Sequence, residues 1–375
     1  MEKYKNLPLY SVNVKIFLQL GLIGASTRTR QILLALVPVF TYLGQILNLF
    51  KTSGGDIGET GMNFYMMAQL THCLVRFLMV VRNNERFVQF LQCIDRWYKD
   101  IEQNSDPEVV HMLQDVTTHA QKLTRIGFYT ATIGALCSYI YPFSFEERKF
   151  ILDIHYLFFD AKQSPFYEFF FLLQALVFVP TFVFVYLPFS NLLLISLKFG
   201  EVILMDLCVK LRNISNQNEV TQLRQFKECI WYHERIITFR NDLEYLISID
   251  GFFHVALFSL MLCMLLFFLS LVQDYRQILS ALAFISFNFY VIGITYYYAN
   301  NFSNESLKIA NAAYDTPWYE GNSELRKCVQ IMIARSQRPL ELKSGGLYPM
   351  TLENFQAILR MSYSYFSMLQ GFSQQ

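Results

Sequence analysis

Near its C-terminus the chain carries Glu353, Gln356, Arg360, Ser364, Ser367 and Gly371 at steps of 3, 4, 4, 3 and 4. That spacing puts all six on one face of a helix, with Leu352, Phe355, Leu359, Phe366 and Leu369 on the others. The surrounding apolar segment, 346–372, is long enough to cross a hydrocarbon core of roughly 30 Å. A charge at the bilayer centre costs about 2.5–3.5 kcal/mol even on the most lenient insertion scale, so the stripe must face protein or water. A polar seam between helices is the competing reading. Water is favoured, because a carboxylate, an amide, a guanidinium and two hydroxyls exceed what one seam needs. A single helix cannot enclose a pore, so an ion path requires several copies around an axis. Met368 and Phe372 lie one turn apart beside the stripe, and bulky apolar side chains there can gate by dewetting. Taken alone, the two are ordinary packing residues.

No other constellation suggests chemistry. The six histidines, His72, His111, His119, His155, His233 and His254, form no HExxH pair or other close metal spacing. There is no phosphate-cradling glycine loop and no Gly-x-Ser-x-Gly elbow. Asp153 and His155 share a loop without a third partner. The chain reads as neither an enzyme nor a holder of cofactor or metal.

The elements that position the stripe are seven apolar segments: 31–50, 62–81, 124–143, 166–197, 251–273, 278–299 and 346–372. The chain is 53% hydrophobic, 17% aromatic and only 16% charged, against about a quarter charged in a soluble domain. With Arg125 counted at the rim of segment three, twenty-four lysines and arginines fall on the N-terminal side of the membrane and five on the other. Basic residues are retained in the cytoplasm, which puts the N-terminus inside and the C-terminus outside, the reverse of a G-protein-coupled receptor. None of the seven cysteines lies in an expected outer loop, and the sequons at Asn213, Asn301 and Asn304 lie inside. No basic face with interleaved aromatics appears, so nucleic acid is not an expected partner. The first 30 residues hold no cleavable apolar stretch, and segment one serves as a signal anchor.

The fold expected is an all-α membrane protein of seven transmembrane helices, a single domain over 1–375. Residues 1–30 form a cytoplasmic arm, and long cytoplasmic helices form an anchor region that includes 300–345. The inner loop at 217–249 repeats Leu223, Phe226, Ile230, Ile237, Leu243 and Leu246 mostly at helical spacing. This amphipathic helix needs a partner for its apolar stripe, either the chain's own inner loops or another subunit. The loop at 144–165 is the one outer loop long enough to cap the bundle. Pro180 and Pro188 each remove a backbone donor from segment four and can bend it.

Several runs carry a resemblance. Tyr314-Asp-Thr-Pro-Trp-Tyr319, Leu325-Arg-Lys-Cys328, Gly345-Gly346, Met350-Thr-Leu-Glu-Asn-Phe355 and Ser362-Tyr-Ser-Tyr-Phe366 resemble the C-terminal third of insect odorant receptors. Glu228-Cys-Ile-Trp-Tyr-His233, ahead of segment five, matches the same family. The resemblance implies a ligand-gated, non-selective cation channel, a heterotetramer with a shared odorant receptor co-receptor. It places the chain across the plasma membrane of an olfactory neuron dendrite, in contact with membrane lipid. The inner loop before segment five spans about 53 residues, short for the co-receptor, so the chain looks like a tuning subunit. It is most similar to mosquito members that take small aromatic volatiles. A homomeric channel like the gustatory receptors is the near alternative. A transporter is the more distant one, though no inverted repeat supports it.

The family's pore helix maps onto Arg360, Ser364, Ser367, Met368, Gly371 and Phe372, with Gly371 standing where the co-receptor has glutamine. Its odorant pocket lies in the outer half among segments two to six. A small volatile needs an apolar cavity with one or two orienting polar groups. Met66, Gln69 and His72 in segment two are candidates, as are Gly134, Cys137, Ser138 and Tyr141 in segment three. Phe171, Gln174 and Phe178 in segment four, and Phe258, Leu262 and Phe287 in segments five and six, complete the set. Gln69, His72, Ser138 and Gln174 carry most weight, because a polar group at this depth needs a partner. His72 reads equally well as a satisfied core histidine, and each aromatic as core.

Overall fold

The computed structural model describes residues 8–24, 28–52, 57–144, 148–156, 160–214, 218–272 and 275–373. Eleven helices and one two-strand hairpin make up these residues. In chain order the helices are α1 (Ser11–Leu20), α2 (Arg28–Thr52), α3 (Ile57–Arg82), α4 (Asn84–Asn104), α5 (Pro107–Ile140) and α6 (Phe166–Leu173). They continue as α7 (Val179–Arg212), α8 (Glu219–Leu271), α9 (Tyr275–Tyr314), α10 (Ser323–Ser336) and α11 (Leu352–Ser373). The seven expected segments correspond to α2, α3, α5, the α6–α7 pair, α8, α9 and α11. Among the described residues, four helical stretches are long and apolar enough to span a membrane by themselves, 31–52, 63–82, 219–271 and 281–314.

The stretches expected as inner loops do not interrupt the helices. α8 has 53 residues and α9 has 40, about 80 and 60 Å at 1.5 Å per residue, far beyond the hydrocarbon thickness. The amphipathic stretch expected before segment five is the first half of α8, because neither proline nor an unpaired polar run separates the two. Asn218 caps this helix by accepting from the Val220 N–H at 3.1 Å. The excess lengths of α5, α7, α8 and α9 join α4 and α10 in a second helical body. Trp97, Phe199, Phe226, Phe239 and Phe302 are fully buried in its core. α1 packs on the same body, where Tyr10 Oη and Ser196 Oγ lie 2.9 Å apart.

Segment four bends by a specific route. A π-helical turn, Gln174–Phe178, joins α6 to α7, two residues before Pro180. Proline supplies no N–H to the carbonyl four residues back, and the wider turn absorbs that deficit. The described part of the loop at 144–165 does cap one end of the bundle: Phe150, Leu152, Ile154 and Tyr156 are buried, and the Tyr156 hydroxyl donates to the Phe40 carbonyl at 3.1 Å.

Segment seven begins later than its hydropathy suggests. Its first residues belong to a hairpin in which β1 (Lys343–Ser344) pairs antiparallel with β2 (Tyr348–Pro349). Gly345 and Gly346 turn the chain at φ +64° and +69°, a conformation L side chains rarely adopt. Thr351 Oγ1 then accepts from the Asn354 N–H at 3.3 Å and opens α11.

One titration belongs to the second body. Burial, with Arg335 nearby, holds the α8 residue His233 down to about 4 from an ordinary 6.5. Unfolded chain therefore binds a proton that folded chain refuses between those values. The associated stability, roughly 3 kcal/mol at one pKa unit per 1.36 kcal/mol, is fully present above about 6.5 and is lost as pH falls towards 4. Thermal melts of purified receptor should drop across that window, and His233→Phe should flatten the drop.

Candidate functional site

Helix α3 presents Tyr65, Gln69, His72 and Arg76 at steps of 4, 3 and 4, one face by helical geometry. Helix α8 answers with Asp250, His254, Phe258 and Met261 at steps of 4, 4 and 3. The two faces meet inside the bundle.

At the deep end sits a buried ion pair. Arg76 Nε donates to Asp250 Oδ1 at 2.7 Å and Nη2 to Oδ2 at 3.2 Å, the two-point geometry a guanidinium and a carboxylate favour. Arg76 Nη1 also donates to Ser190 Oγ at 2.5 Å and to the Tyr186 carbonyl at 3.1 Å, which brings α7 into the network. The guanidinium lies 4.1 Å from the centre of the Tyr186 ring. His72 Nε2 is 2.8 Å from Asp250 Oδ1. Every one of these residues is buried. Ionised side chains persist at such depth only when paired and hydrogen-bonded, and this network satisfies both partners across three helices.

His72, Asp250 and His254 bring one donor atom each within 4.8 Å of one another. Asp250 is already engaged at both oxygens by Arg76 and at one by His72. Two imidazoles beside a fixed guanidinium make a poor donor set for a dication. The cluster is an ion-pair junction.

Just above it lies a small void lined by Ala68, Gln69, His72, His254, Phe258 and Asn288, among others, with about 10 Å³ of free volume, close to one water. Gln69 Nε2 donates to Asn288 Oδ1 at 2.5 Å and Asn288 Nδ2 to the Tyr65 hydroxyl at 3.3 Å. This chain of amides crosses from α3 to α9. The His254 ring lies 4.5 Å from that of His72, and its Nε2 is buried with no hydrogen-bond partner among the described residues.

On its other side His254 lines a second void, again of about 10 Å³, together with Asp250, Gly251, Tyr296, Ser344 and Met350. Ser344 belongs to β1 and Met350 follows β2 of the hairpin that launches α11. The contact is close. A Cβ at Gly251 would sit 2.8 Å from Ser344 Oγ, and the Gly345 N–H donates to the Ser248 carbonyl at 2.8 Å. His254 thus lines both the upper void and the void at the root of α11.

α11 leans on the bundle through a single face. Phe355, Ile358 and Ser362 are buried, and the Phe355 ring packs 5.4 Å from Phe289 and 5.7 Å from Tyr296. Glu353, Gln356, Arg360, Ser364, Ser367, Met368 and Gly371 are exposed, none of them covered by the chain's own described helices. The Phe372 side chain lies outside the described residues.

Of the pocket residues expected from sequence, Gln69, His72 and Phe258 come together around the upper void. Met66 packs beside them against the core, and Leu262 is buried on the same helix as Phe258. Gln174 is buried elsewhere. Its amide donates to the Leu152 carbonyl at 2.9 Å and accepts from the Leu152 N–H at 3.0 Å, holding the capping loop down. Phe171 packs against Phe143 beneath that loop, with ring centres 5.5 Å apart. Gly134, Cys137 and Phe287 are exposed on the outside of the bundle. The side chains of Ser138, Tyr141 and Phe178 lie outside the described residues. Sequence reasoning missed Asn288, His254 and Asp250, the last being the partner of Arg76. The signal was present, since each is a polar or charged residue in or beside an apolar span.

A family model described as 7tm odorant receptor matches residues 56–363. Odorant receptor 10 of Aedes albopictus is 30% identical over 374 residues, covering 98% of this chain and 99% of that one. Odorant receptor Or2 of Anopheles gambiae is 28% identical, covering 96% and 97%. Odorant receptor 30a of Drosophila melanogaster is 26% identical, covering 82% of each. Among solved structures, the insect olfactory receptor OR5 of Machilis hrabei in complex with eugenol superposes with a TM-score of 0.81 over 99% of this chain and 100% of that one, at 12% identity. A second structure of the same receptor gives 0.80 over 95% and 96%, at 13% identity.

Proposed function

Because the chain belongs to the insect odorant receptor family, a family of receptors and not of enzymes, we propose that it is the odorant-binding subunit of a heteromeric, odour-gated, non-selective cation channel whose pore is lined by α11. The observation that carries this reading is the face of α11. Arg360, Ser364, Ser367 and Gly371 form a polar stripe that the chain's own helices leave uncovered, and a charged stripe facing lipid is too costly to persist. Water in a pore shared with other subunits satisfies it. The segregation of basic residues puts the N-terminus and the second helical body in the cytoplasm and the upper void, between Gln69, Phe258 and Asn288, near the middle of the membrane. The partner is the family's co-receptor, in a heterotetramer at the plasma membrane of the olfactory dendrite.

The odorant enters between α3, α8 and α9 at the upper void. A volatile of about ten heavy atoms gains at most roughly 1.5 kcal/mol per atom, and admitting it requires Gln69, Asn288 and Phe258 to separate. That movement reaches His254, and through it Gly251, Ser344 and the start of α11. Binding opens the pore only by the difference in affinity between open and shut states. A full swing from shut to open needs about 10⁴-fold in total.

The test is current in excised patches bathed without GTP, from cells expressing this chain alone or with an insect co-receptor, during pulses of small aromatic volatiles. Prompt cation current only in the co-expressed case is the expected result. Full current from the chain alone would favour the homomeric, gustatory-like alternative. Uptake of the volatile without current would favour a transporter.

A further inference from the structure

On the membrane-facing side of α3 and α8, away from the upper void, a groove of about 710 Å³ runs from Leu78, Ile249 and Phe253 to Arg82, Tyr245 and Arg240. The α8 wall from Arg240 to Phe253 is about 20 Å long at 1.5 Å per residue. Its two ends differ in chemistry. Leu78 is 61% exposed and Ile249 50%; Leu78 lies within the apolar stretch of α3, and Ile249 stands two residues before the apolar part of α8. Arg82 ends the apolar stretch of α3, so the basic end of the groove stands at the membrane boundary.

The charges around that end leave one cation over. Arg240 donates to the Glu341 carbonyl and lies 2.6 Å from the Glu244 carboxylate. Arg86 stacks 3.8 Å above the Tyr245 ring, and Asp242 lies within its field. Arg82 is exposed and has no ion-pair or hydrogen-bond partner among the described residues. Arg82, Arg86 and Arg240 thus face Glu244 and Asp242, a net local charge of one positive.

We propose that this groove binds an anionic diacyl phospholipid, its phosphate at Arg82 and an acyl chain along Leu78, Ile249 and Phe253. A free phosphate would satisfy the arginine and leave the apolar half unused, whereas a zwitterionic lipid would bring its own headgroup cation to a site that already holds an unmatched positive charge. Only a molecule with both parts, joined over the length of a headgroup and chain, matches both ends. The orientation argued above assigns the lipid to the cytoplasmic leaflet. The site itself depends on neither that orientation nor channel opening.

The test is native mass spectrometry of the full-length chain assembled with its co-receptor and released from micelles doped with phosphatidylserine or phosphatidylcholine. Wild type should retain phosphatidylserine in preference to phosphatidylcholine. Arg82→Gln should lower its retention about fivefold, at about 1 kcal/mol per basic residue near a membrane surface. Arg82→Lys should keep most of it, and Arg212→Gln, in the second helical body, should change nothing. Leu78→Asp tests the apolar half and should also lower retention. The intact complex mass in each spectrum reports assembly separately from lipid. Equal retention of the two lipids, or undiminished retention in both Arg82→Gln and Leu78→Asp, would overturn the proposal. So would full competition by glycerophosphoserine, which points to a soluble phosphate, or an intersubunit disulfide formed by Leu78→Cys with a neighbouring chain, which puts protein in the groove.

Discussion

Asp250→Ala should remove most of the folded receptor from the cell surface and from the monodisperse peak of a detergent preparation. It leaves Arg76 buried with no carboxylate, and breaking a buried pair from one side costs about 3–5 kcal/mol, a large part of the 5–15 kcal/mol that holds a typical protein together. His72 loses its acceptor at the same time. The informative comparison is the double variant Arg76→Met/Asp250→Leu, which removes both charges and refills the space. Replacing a buried pair by packed apolar groups is often neutral, so surface level and melting temperature should largely recover. Recovered folding with lost odour response would assign the pair to coupling as well as to stability. Equal loss in single and double variants would mean that the hydrogen bonds to Ser190 and Tyr186 matter more than charge balance.

A second result should separate ligand reading from conduction. Gln69→Leu removes the amide that closes the upper void and leaves Asn288 without its 2.5 Å partner. An unsatisfied buried amide is worth about 1–3 kcal/mol, so half-maximal concentrations should move about tenfold, unequally across volatiles, with unitary conductance unchanged. Met368→Ala, on the uncovered face of α11, should raise basal leak or conductance and leave the rank order of odorants alone. Dose–response families and single-channel records on the same variants check both halves. Reordered ligands from Met368→Ala, together with leak alone from Gln69→Leu, would reverse the assignment of the two regions.

The seven spans and the class of fold were legible in the sequence because hydropathy and charge are written locally. Arg360 and its stripe could be placed on one helical face from spacing alone. The pairing of Arg76 with Asp250 could not, since the two are 174 residues apart and meet only when α3 packs on α8. A charge in a span needs a partner, but nothing in the local sequence around Arg76 says where to look. Gln174 illustrates the opposite limit. Its amide needed a partner at that depth, and the partner is the backbone of Leu152 in a loop whose path hydropathy does not encode. Gly134 and Cys137 turn outward because the rotation of α5 is set by packing, not by period. The Gly345–Gly346 turn was visible as glycines, but its consequence, a hairpin pressed against Gly251, required the contact itself.

The claim on which the account rests is that odour-gated current runs along the uncovered face of α11. Cysteines placed singly at Ile358, Ser362, Arg360, Ser364, Ser367 and Gly371, with a charged thiol reagent applied during odour pulses to co-receptor-expressing patches, test it most directly. The account predicts progressive block at 360, 364, 367 and 371, faster with odour than without, and none at 358 or 362, which are packed against the bundle. Block at 358 and 362 with the polar face unreactive, or persistent odour-evoked current with every position unreactive, would contradict it.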